Sequence, residues 1–137
     1  DSLKPKAVIA QLSTTDKLRS CGGEWSGKFL SAKTKTFGDY VIVLDTVPPA
    51  ISKEYTPADL NTAYGPVVKI RISDDLSGIK SYSVKVENRW WLFEYDKKTN
   101  MLTGDISALE TNHQHQIEVT VTDERGNTNV WKSSFYW

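Results

Sequence analysis

Two histidines, one residue apart, have the spacing in this chain that comes closest to a metal site. His113 and His115 are the only two histidines among 137 residues. Residues i and i+2 of a strand point to the same face, so both imidazoles could chelate zinc. A zinc site needs further ligands, and the sequence has no third histidine. We therefore predict no metal at this pair and interpret both histidines as solvent-exposed residues at the start of a strand.

Five aspartates at or beside predicted turns offer a second kind of chemistry. Several of them could converge at one end of a β-sandwich and hold Ca²⁺ together with carbonyl oxygens, the ligands that hard cations prefer. Their spacing matches no contiguous calcium loop. The alternative is turn construction, in which an Asp side chain accepts backbone N–H bonds two residues ahead. The five are Asp45, Asp74, Asp75, Asp96 and Asp123. We predict turn construction, with no metal and no cofactor.

The other residues with reactive or phosphate-binding potential do not form a catalytic site. Cys21 is the only cysteine, and its sequence context supplies no helix amino terminus and only Arg19 as a cationic neighbour. Gly78 and Gly126 are the glycines most in need of positive φ, and neither belongs to a phosphate loop. Two histidines and scattered carboxylates do not make a catalytic constellation. We predict no catalytic residue and expect the chain not to be an enzyme.

Adjacent tryptophans provide the most informative aromatic feature. Neighbours on a strand face opposite ways, so Trp90 and Trp91 cannot both enter one core. Phe93 and Tyr95 share the face of Trp91, which predicts Trp91 inside and Trp90 at the surface. An exposed tryptophan can stack on sugar rings or pack on a neighbouring domain, and partial cover by Lys or Arg stems is the alternative. The predicted contact surface comprises Trp90, His113 and His115.

The elements that must position these residues are strands. Apolar residues alternate with polar ones at Val68, Ile70 and Ile72, and no window longer than ten residues shows the helical period. Turn residues separate the alternating segments, which favours a sandwich or a barrel. The predicted strands include 7–12, 28–35, 40–45, 68–72, 82–86, 90–95, 117–121 and 130–136. We predict an all-β protein of eight or nine strands.

Two prolines suggest how the chain is divided. Pro48 and Pro49 remove ladder donors, so we place a domain boundary there. Residues 1–47 then form a short β unit of three or four strands, the end of a preceding β domain, and residues 48–137 form an immunoglobulin-like sandwich. Both faces of the strand over residues 39–45 are apolar. This pattern predicts that the first unit packs against the sandwich across a stiff junction.

Composition excludes several classes of function. The chain has 17 Lys+Arg and 17 Asp+Glu, without the basic stripe that binding to nucleic acid needs. No apolar run reaches the roughly 18–20 residues that span a bilayer. A single cysteine excludes an internal disulfide and leaves the redox compartment open. We expect a monomer. The chain begins with Asp1, which we interpret as the start of a piece of a longer precursor.

Three motifs in the second part carry a family resemblance. They lie at residues 45–51 (Asp-Thr-Val-Pro-Pro-Ala-Ile), 75–79 (Asp-Leu-Ser-Gly-Ile) and 122–127 (Thr-Asp-Glu-Arg-Gly-Asn). In their order they resemble the linker and turns of bacterial immunoglobulin-like domains. The runs at 37–40, 72–82 and 94–96 are similar to the carboxy-terminal region of exported lysostaphin-type zinc endopeptidases of Gram-negative bacteria, which cut peptidoglycan peptides. This resemblance covers about residues 5–137. It departs at Asn88-Arg89, where relatives often have Asp-Gly, and at residues 112–115.

The resemblance implies a function without catalysis. The His-x-x-x-Asp segment of that peptidase family is absent, so the chain is expected to be a carboxy-terminal accessory module of a cell-envelope peptidase. Its role would be positioning, interdomain packing or ligand contact. The implied partners are an upstream domain of the same polypeptide and peptidoglycan or another glycan, and the implied location is the periplasm or cell envelope. A carbohydrate-binding or adhesive surface module is the alternative.

Overall fold

A computed structural model describes residues 2–57 and 64–137. Within these ranges the chain forms thirteen β-strands, and a 3₁₀ turn at Lys4–Lys6 precedes the first of them. The strands are β1 Ala7–Leu12, β2 Leu18–Ser20, β3 Glu24–Ser26, β4 Phe29–Ser31, β5 Tyr40–Leu44, β6 Ala50–Tyr55, β7 Val67–Ser73, β8 Ile79–Val86, β9 Arg89–Trp90, β10 Glu94–Asp96, β11 Met101–Asp105, β12 Gln114–Asp123 and β13 Thr128–Tyr136. The all-β prediction is confirmed. The predicted number of strands was too low, because strands of two or three residues are too short for alternation to be recognised.

Strands β6 to β13 form two antiparallel sheets that give the fold its sandwich-like form. One sheet has the order β10-β11-β7-β6, and the other has the order β13-β12-β8-β9. Ile70, Ile72, Val119 and Val121 are fully buried, as their alternation predicts. They belong to one cluster of buried side chains that draws on both sheets. The hydrophobic core therefore lies between the two sheets.

The path of the chain after β8 positions the two tryptophans. Glu87 and Asn88 have φ of 50° and 60° and form a two-residue turn between the paired residues Val86 and Arg89. Two consecutive left-handed residues give the turn whose twist suits a tight hairpin. Strand β9 ends at Trp90, and β10 begins in the other sheet. The predicted continuous strand over 90–95 was therefore wrong, because the chain crosses between sheets within residues 91–93.

The first 44 residues contain more strands than predicted. A sheet of order β2-β1-β5 and a hairpin of β3 and β4 make five short strands, whereas the sequence predicted three or four. The prediction that both faces of β5 are covered was also wrong. Ile42 is 65% exposed and Leu44 is 48% exposed, while Val41 and Val43 are half-buried. Val41 and Val43 on one face of β5 are therefore partly covered, whereas Ile42 and Leu44 on the other face are exposed.

The two parts of the chain contact each other through polar side chains. The Lys6 ammonium donates to the Arg125 carbonyl at 2.9 Å and to Asn127 Oδ1 at 2.5 Å. The Arg125 guanidinium donates to the carbonyl of Ala7 at 3.3 Å, and Asn127 Nδ2 donates to the carbonyl of Asp45 at 3.0 Å. The turn between β12 and β13 thus contacts the first unit, as expected, and the residues of the first unit that make these hydrogen bonds lie outside β5. The domain boundary near residue 47 stays a prediction.

Candidate functional site

Trp90 and Trp91 face opposite directions, as the sequence predicts. Trp90 is 68% exposed, whereas Trp91 is half-buried and packs against the core. The Trp91 indole Nε1 donates to the Asp105 carbonyl at 2.7 Å, and its backbone N–H donates to the Val84 carbonyl at 2.9 Å. These bonds tie Trp91 to both sheets. Because these bonds hold Trp91, they also fix the position of the backbone at the adjacent Trp90.

A cavity of about 480 Å³ lies beside the exposed tryptophan. Trp90, Trp91 and Leu92 provide its apolar wall. Its polar wall includes Glu94, Thr103, Asp105 and Ser107, from β10, β11 and the residues that follow them. We call this cavity the tryptophan groove. Its size and its mixture of one aromatic wall with a few polar groups are typical of small-molecule sites.

A second cavity, of about 340 Å³, adjoins the tryptophan groove. Trp91 and Ala108 line both cavities, so the two lie next to each other. The second cavity is also lined by Glu87, Arg89, Glu110, His113 and His115. Of the three residues predicted to form a contact surface, Trp90 borders the tryptophan groove, and His113 and His115 border the adjoining cavity.

The prediction of two exposed histidines was wrong for His115. His113 is exposed, but His115 is only 3% exposed and lies against the ring of Phe135. Its Nε2 is 2.8 Å from the Glu110 carbonyl, and its Nδ1 is 3.3 Å from Glu87 Oε1. Strand β12 begins at Gln114, so His115 shares the inward face of Ile117. Extending the alternation back by one step from Ile117 would have revealed this.

The aspartates converge only in part. Carboxylate oxygens of Asp45, Asp74 and Asp123 all lie within 4.8 Å of one another, and these three make the only group of potential metal ligands found among the described residues. Asp75 is exposed, and Asp96 serves the turn after β10, where it accepts the Lys98 N–H at 2.9 Å. Three carboxylates at one point have the chemistry to hold a hard cation.

Each converging aspartate also builds the backbone around it. Asp123 Oδ1 accepts the N–H groups of Arg125 and Asn127 at 2.8 and 2.9 Å. Asp74 Oδ2 accepts the Gly78 N–H at 2.7 Å, and Asp45 Oδ2 accepts the Ser77 N–H at 3.0 Å. The glycines of these two turns, Gly78 and Gly126, have φ of 91° and 75°, as predicted. The predicted turn-building role is confirmed for Asp74 and Asp123, which accept N–H groups two residues ahead, whereas Asp45 accepts its N–H from a turn 32 residues ahead.

The electrostatics of this group centre on Asp74. Burial raises the pKa of the Asp74 carboxyl above its ordinary value, and the charges of Asp45 and Asp123 raise it further, while N–H bonds from Gly78 and Leu76 counteract the rise. A raised pKa in the folded state means that ionised Asp74 is less favourable in the folded than in the unfolded chain. The penalty is present above the raised pKa. It disappears as the pH falls from there through the ordinary value.

We predict that Asp74→Asn stabilises the protein at neutral pH. The amide oxygen still accepts the two backbone bonds, but the repulsion and the cost of burying a charge are gone, so the melting temperature should rise by about 1–3 °C. Melting in chelator-treated buffer tests this at pH 7 and near pH 3, where the difference should vanish. Asp75→Asn, an exposed neighbour, is the control. A lower melting temperature for Asp74→Asn at pH 7 would contradict the explanation.

Cys21 lies in a third cavity, at the junction of the two parts. This cavity of about 640 Å³ is also lined by Glu24, Lys33 and Arg125. Cys21 is half-buried, and its sulfur lies 3.8 Å from the Arg19 carbonyl. No histidine is among the described residues that line this cavity.

Comparison with known proteins adds no family: no protein-family model matches the chain, and no curated protein matches it. Residues 2–57 and 64–137 contain no helix long and apolar enough to cross a membrane.

Proposed function

We propose that this chain is a non-catalytic accessory module of a cell-envelope peptidase, exported to the periplasm or envelope, that contacts its ligand through the tryptophan groove. The peptidase context rests on the motifs at residues 37–40, 72–82 and 94–96. The absence of a third histidine from the sequence supports a module without catalysis. The balanced charge argues against nucleic acid as a partner. We propose that the module works as a monomer.

An immunoglobulin-like topology is part of this proposal. If β6, β7, β8 and β9 are strands A, B, C and C′, then β10 to β13 are D, E, F and G. The two observed sheets then have the orders D-E-B-A and G-F-C-C′. These are the orders of the two sheets in that class of sandwich. Such domains commonly serve as spacers and contact modules, although the fold alone does not define a function.

The observation that carries the proposed ligand contact is the exposure of Trp90. Trp90 is 68% exposed, and Leu92, in the same groove, is 61% exposed. Lys85 lies directly opposite Trp90 on β8, but among the described residues the cation–π pairs are Lys4 with Trp25 and Lys69 with Tyr64. The 68% exposure of Trp90 argues against the alternative of cover by a basic stem. A solvent-exposed aromatic ring beside a groove is a typical contact for a flat, partly apolar ligand.

Peptidoglycan binding tests the proposal. Trp90→Ala should weaken sedimentation of the protein with purified peptidoglycan by about fivefold to tenfold, which corresponds to a stacking contribution of about 1–1.4 kcal/mol. The control is Phe37→Ala, which removes another exposed ring, far away in the sequence and outside the groove. Equal binding of Trp90→Ala and wild type would remove the groove from the proposal.

The same incubations test the absence of catalysis. With or without zinc, the supernatant should contain no new muropeptides, because the ligand set of the peptidase family is incomplete in this sequence. Cleavage products that a chelator abolishes would contradict a non-catalytic role.

Two observations favour interdomain packing as a second role. Strand β5 is an edge of its sheet, with β1 as its only neighbour in the described structure, and its sequence Tyr-Val-Ile-Val-Leu has no charge. Edge strands usually carry charges that prevent pairing with other chains. Ile42 and Leu44 add exposed apolar area. The occupant that we propose for this surface is the upstream domain of the same polypeptide.

The alternative is a carbohydrate-binding or adhesive surface module outside any peptidase. It also uses the exposed Trp90, so the two hypotheses predict the same groove. They differ in the polypeptide that carries the module. An open reading frame with an upstream His-x-x-x-Asp and His-x-His set supports the peptidase, and one without that set supports the alternative.

A further inference from the structure

The tryptophan groove carries charge of one sign. Of the described residues that line it, two are ionisable, Glu94 and Asp105, and both are acidic. Glu94 lies opposite Thr103 in the pairing of β10 with β11. Asp105 is two residues beyond Thr103 on β11, so the three side chains share the outer face of the sheet. The acidic groups therefore stand along one wall of the groove that Trp90 and Trp91 also line.

The negative charge of this wall is maintained by local hydrogen bonds. Asp105 Oδ1 accepts the backbone N–H of Ser107 at 2.8 Å. This bond, followed by one with the Ser107 side chain, lowers the pKa of the Asp105 carboxyl below its ordinary value. The carboxylate is therefore ionised at neutral pH and at mildly acidic pH.

The nearest basic residues on the outer face of this sheet are engaged elsewhere. Lys69 lies opposite Thr103 on β7, but its ammonium sits 3.7 Å from the centre of the Tyr64 ring. Arg71 is paired with Glu54, with 2.6 Å between Nε and Oε1. The carboxylates of Glu94 and Asp105 have no ion pair with a basic side chain in the described part of the chain. Lys85, opposite Trp90 on β8, does not line the groove. The wall therefore presents negative charge to whatever enters the groove.

We propose that the tryptophan groove binds a glycan whose sugar units carry free amino groups, such as an oligosaccharide of unacetylated glucosamine. This inference rests on the proposed ligand contact at Trp90 and names the chemical class of that ligand. The apolar face of a pyranose ring stacks on the Trp90 indole, and the ammonium group pairs with the carboxylates of Glu94 and Asp105. Charge-assisted hydrogen bonds are about twice as strong as neutral ones, and an ammonium also interacts favourably with an aromatic face.

The test compares two oligosaccharides that differ in the acetylation of their amino groups and therefore in charge. Titration calorimetry at about pH 6, where amino groups are largely protonated, uses the glucosamine tetramer and the N-acetylglucosamine tetramer. The glucosamine tetramer should bind about tenfold more tightly at low salt, with a preference that shrinks as salt is added. In the double variant Glu94→Gln, Asp105→Asn, the preference should disappear. Its amide side chains keep the shape of the wall and can still accept the bond from Ser107.

A matched variant separates the local effect from the effect of net charge. The double variant Asp16→Asn, Glu24→Gln removes the same two charges from residues outside the groove and should keep the full preference. Equal melting temperatures would show that both double variants are folded. A preference that survives in the groove variant, or that falls equally in both variants, would overturn the inference.

The outcomes also distinguish this inference from the function on which it rests. If both tetramers bind equally and Trp90→Ala abolishes both, the contact at Trp90 stands and the amino-sugar inference fails. Tighter binding of the acetylated tetramer also overturns the inference. If neither tetramer binds while Trp90→Ala still weakens peptidoglycan sedimentation, the ligand class is wrong and the contact at Trp90 stands. If neither tetramer binds and sedimentation is unaffected, the groove is not the contact site.

Discussion

Replacement of Asp123 by alanine should lower the free energy of unfolding by about 3–4 kcal/mol, because it leaves three hydrogen-bond donors without their acceptor. Asp123 is fully buried. Its Oδ1 accepts the N–H groups of Arg125 and Asn127, and its Oδ2 accepts Asn127 Nδ2 at 2.7 Å. Denaturant unfolding at pH 7 measures the loss. A change below about 1 kcal/mol would show that water replaces these bonds at little cost.

The effect of Asp123→Ala should extend beyond the turn. Arg125 and Asn127, which this carboxylate positions, donate to the carbonyls of Ala7 and Asp45 in the first part of the chain. The loss of these hydrogen bonds should increase amide hydrogen exchange in β1 as well as in β12. Asp123→Asn is the matched control. It keeps one of the two acceptor oxygens and removes a negative charge that raises the pKa of Asp74. The loss in the free energy of unfolding should therefore be about half of the loss in Asp123→Ala.

Gly104→Ala should destabilise the fold by about 2–3 kcal/mol, through overpacking of the core. A Cβ atom at Gly104 would lie 2.3 Å from Phe93 Cε2 and 2.5 Å from Phe93 Cζ. Phe93 is 2% exposed and belongs to the central cluster, so its ring has no free space to move into. Denaturant unfolding again provides the measurement.

A second substitution tests the cause of that loss. Phe93→Leu removes part of the ring that a methyl group at residue 104 would strike, so the double variant should be more stable than the sum of the two single losses predicts. The methyl group at residue 104 should displace Phe93. This displacement should reach the tryptophan groove, because Phe93 follows Trp91 and Leu92 in the chain. A Gly104→Ala protein as stable as the wild type, or simple additivity in the double variant, would contradict the clash.

The sequence alone was sufficient for the fold class and for the inward face of the long strands. Alternation over two or three periods identifies the buried side, and Ile70, Val119 and Val121 are buried as predicted. The sequence was also sufficient for Trp90, because Trp91, Phe93 and Tyr95 lie in phase with one another and leave Trp90 outside. Gly78 and Gly126 were identifiable because tight turns favour the residue that tolerates positive φ. These features depend on residues that are near one another in sequence.

Short strands could not be predicted from the sequence in the same way. Strands β3 and β9 have three and two residues, too few to show a period. The change of sheet between Trp90 and Glu94 was missed because alternation indicates which way a side chain points, but not which strand will pair with it. The burial of His115 was missed because the pattern from Ile117 was not followed back to the beginning of β12.

The composition of both candidate sites was decided by tertiary structure alone. Asp45, Asp74 and Asp123 are separated by 29 and 49 positions along the chain, and the packing of the first unit against two turns of the sandwich brings their carboxylates within 4.8 Å. The groove likewise joins Trp90, from one sheet, to Asp105, from the other. Strand pairing and sheet packing depend on contacts between distant residues, whose free energies are summed over the whole fold. A local pattern therefore indicates which side of a strand is buried, but not which residues will meet there.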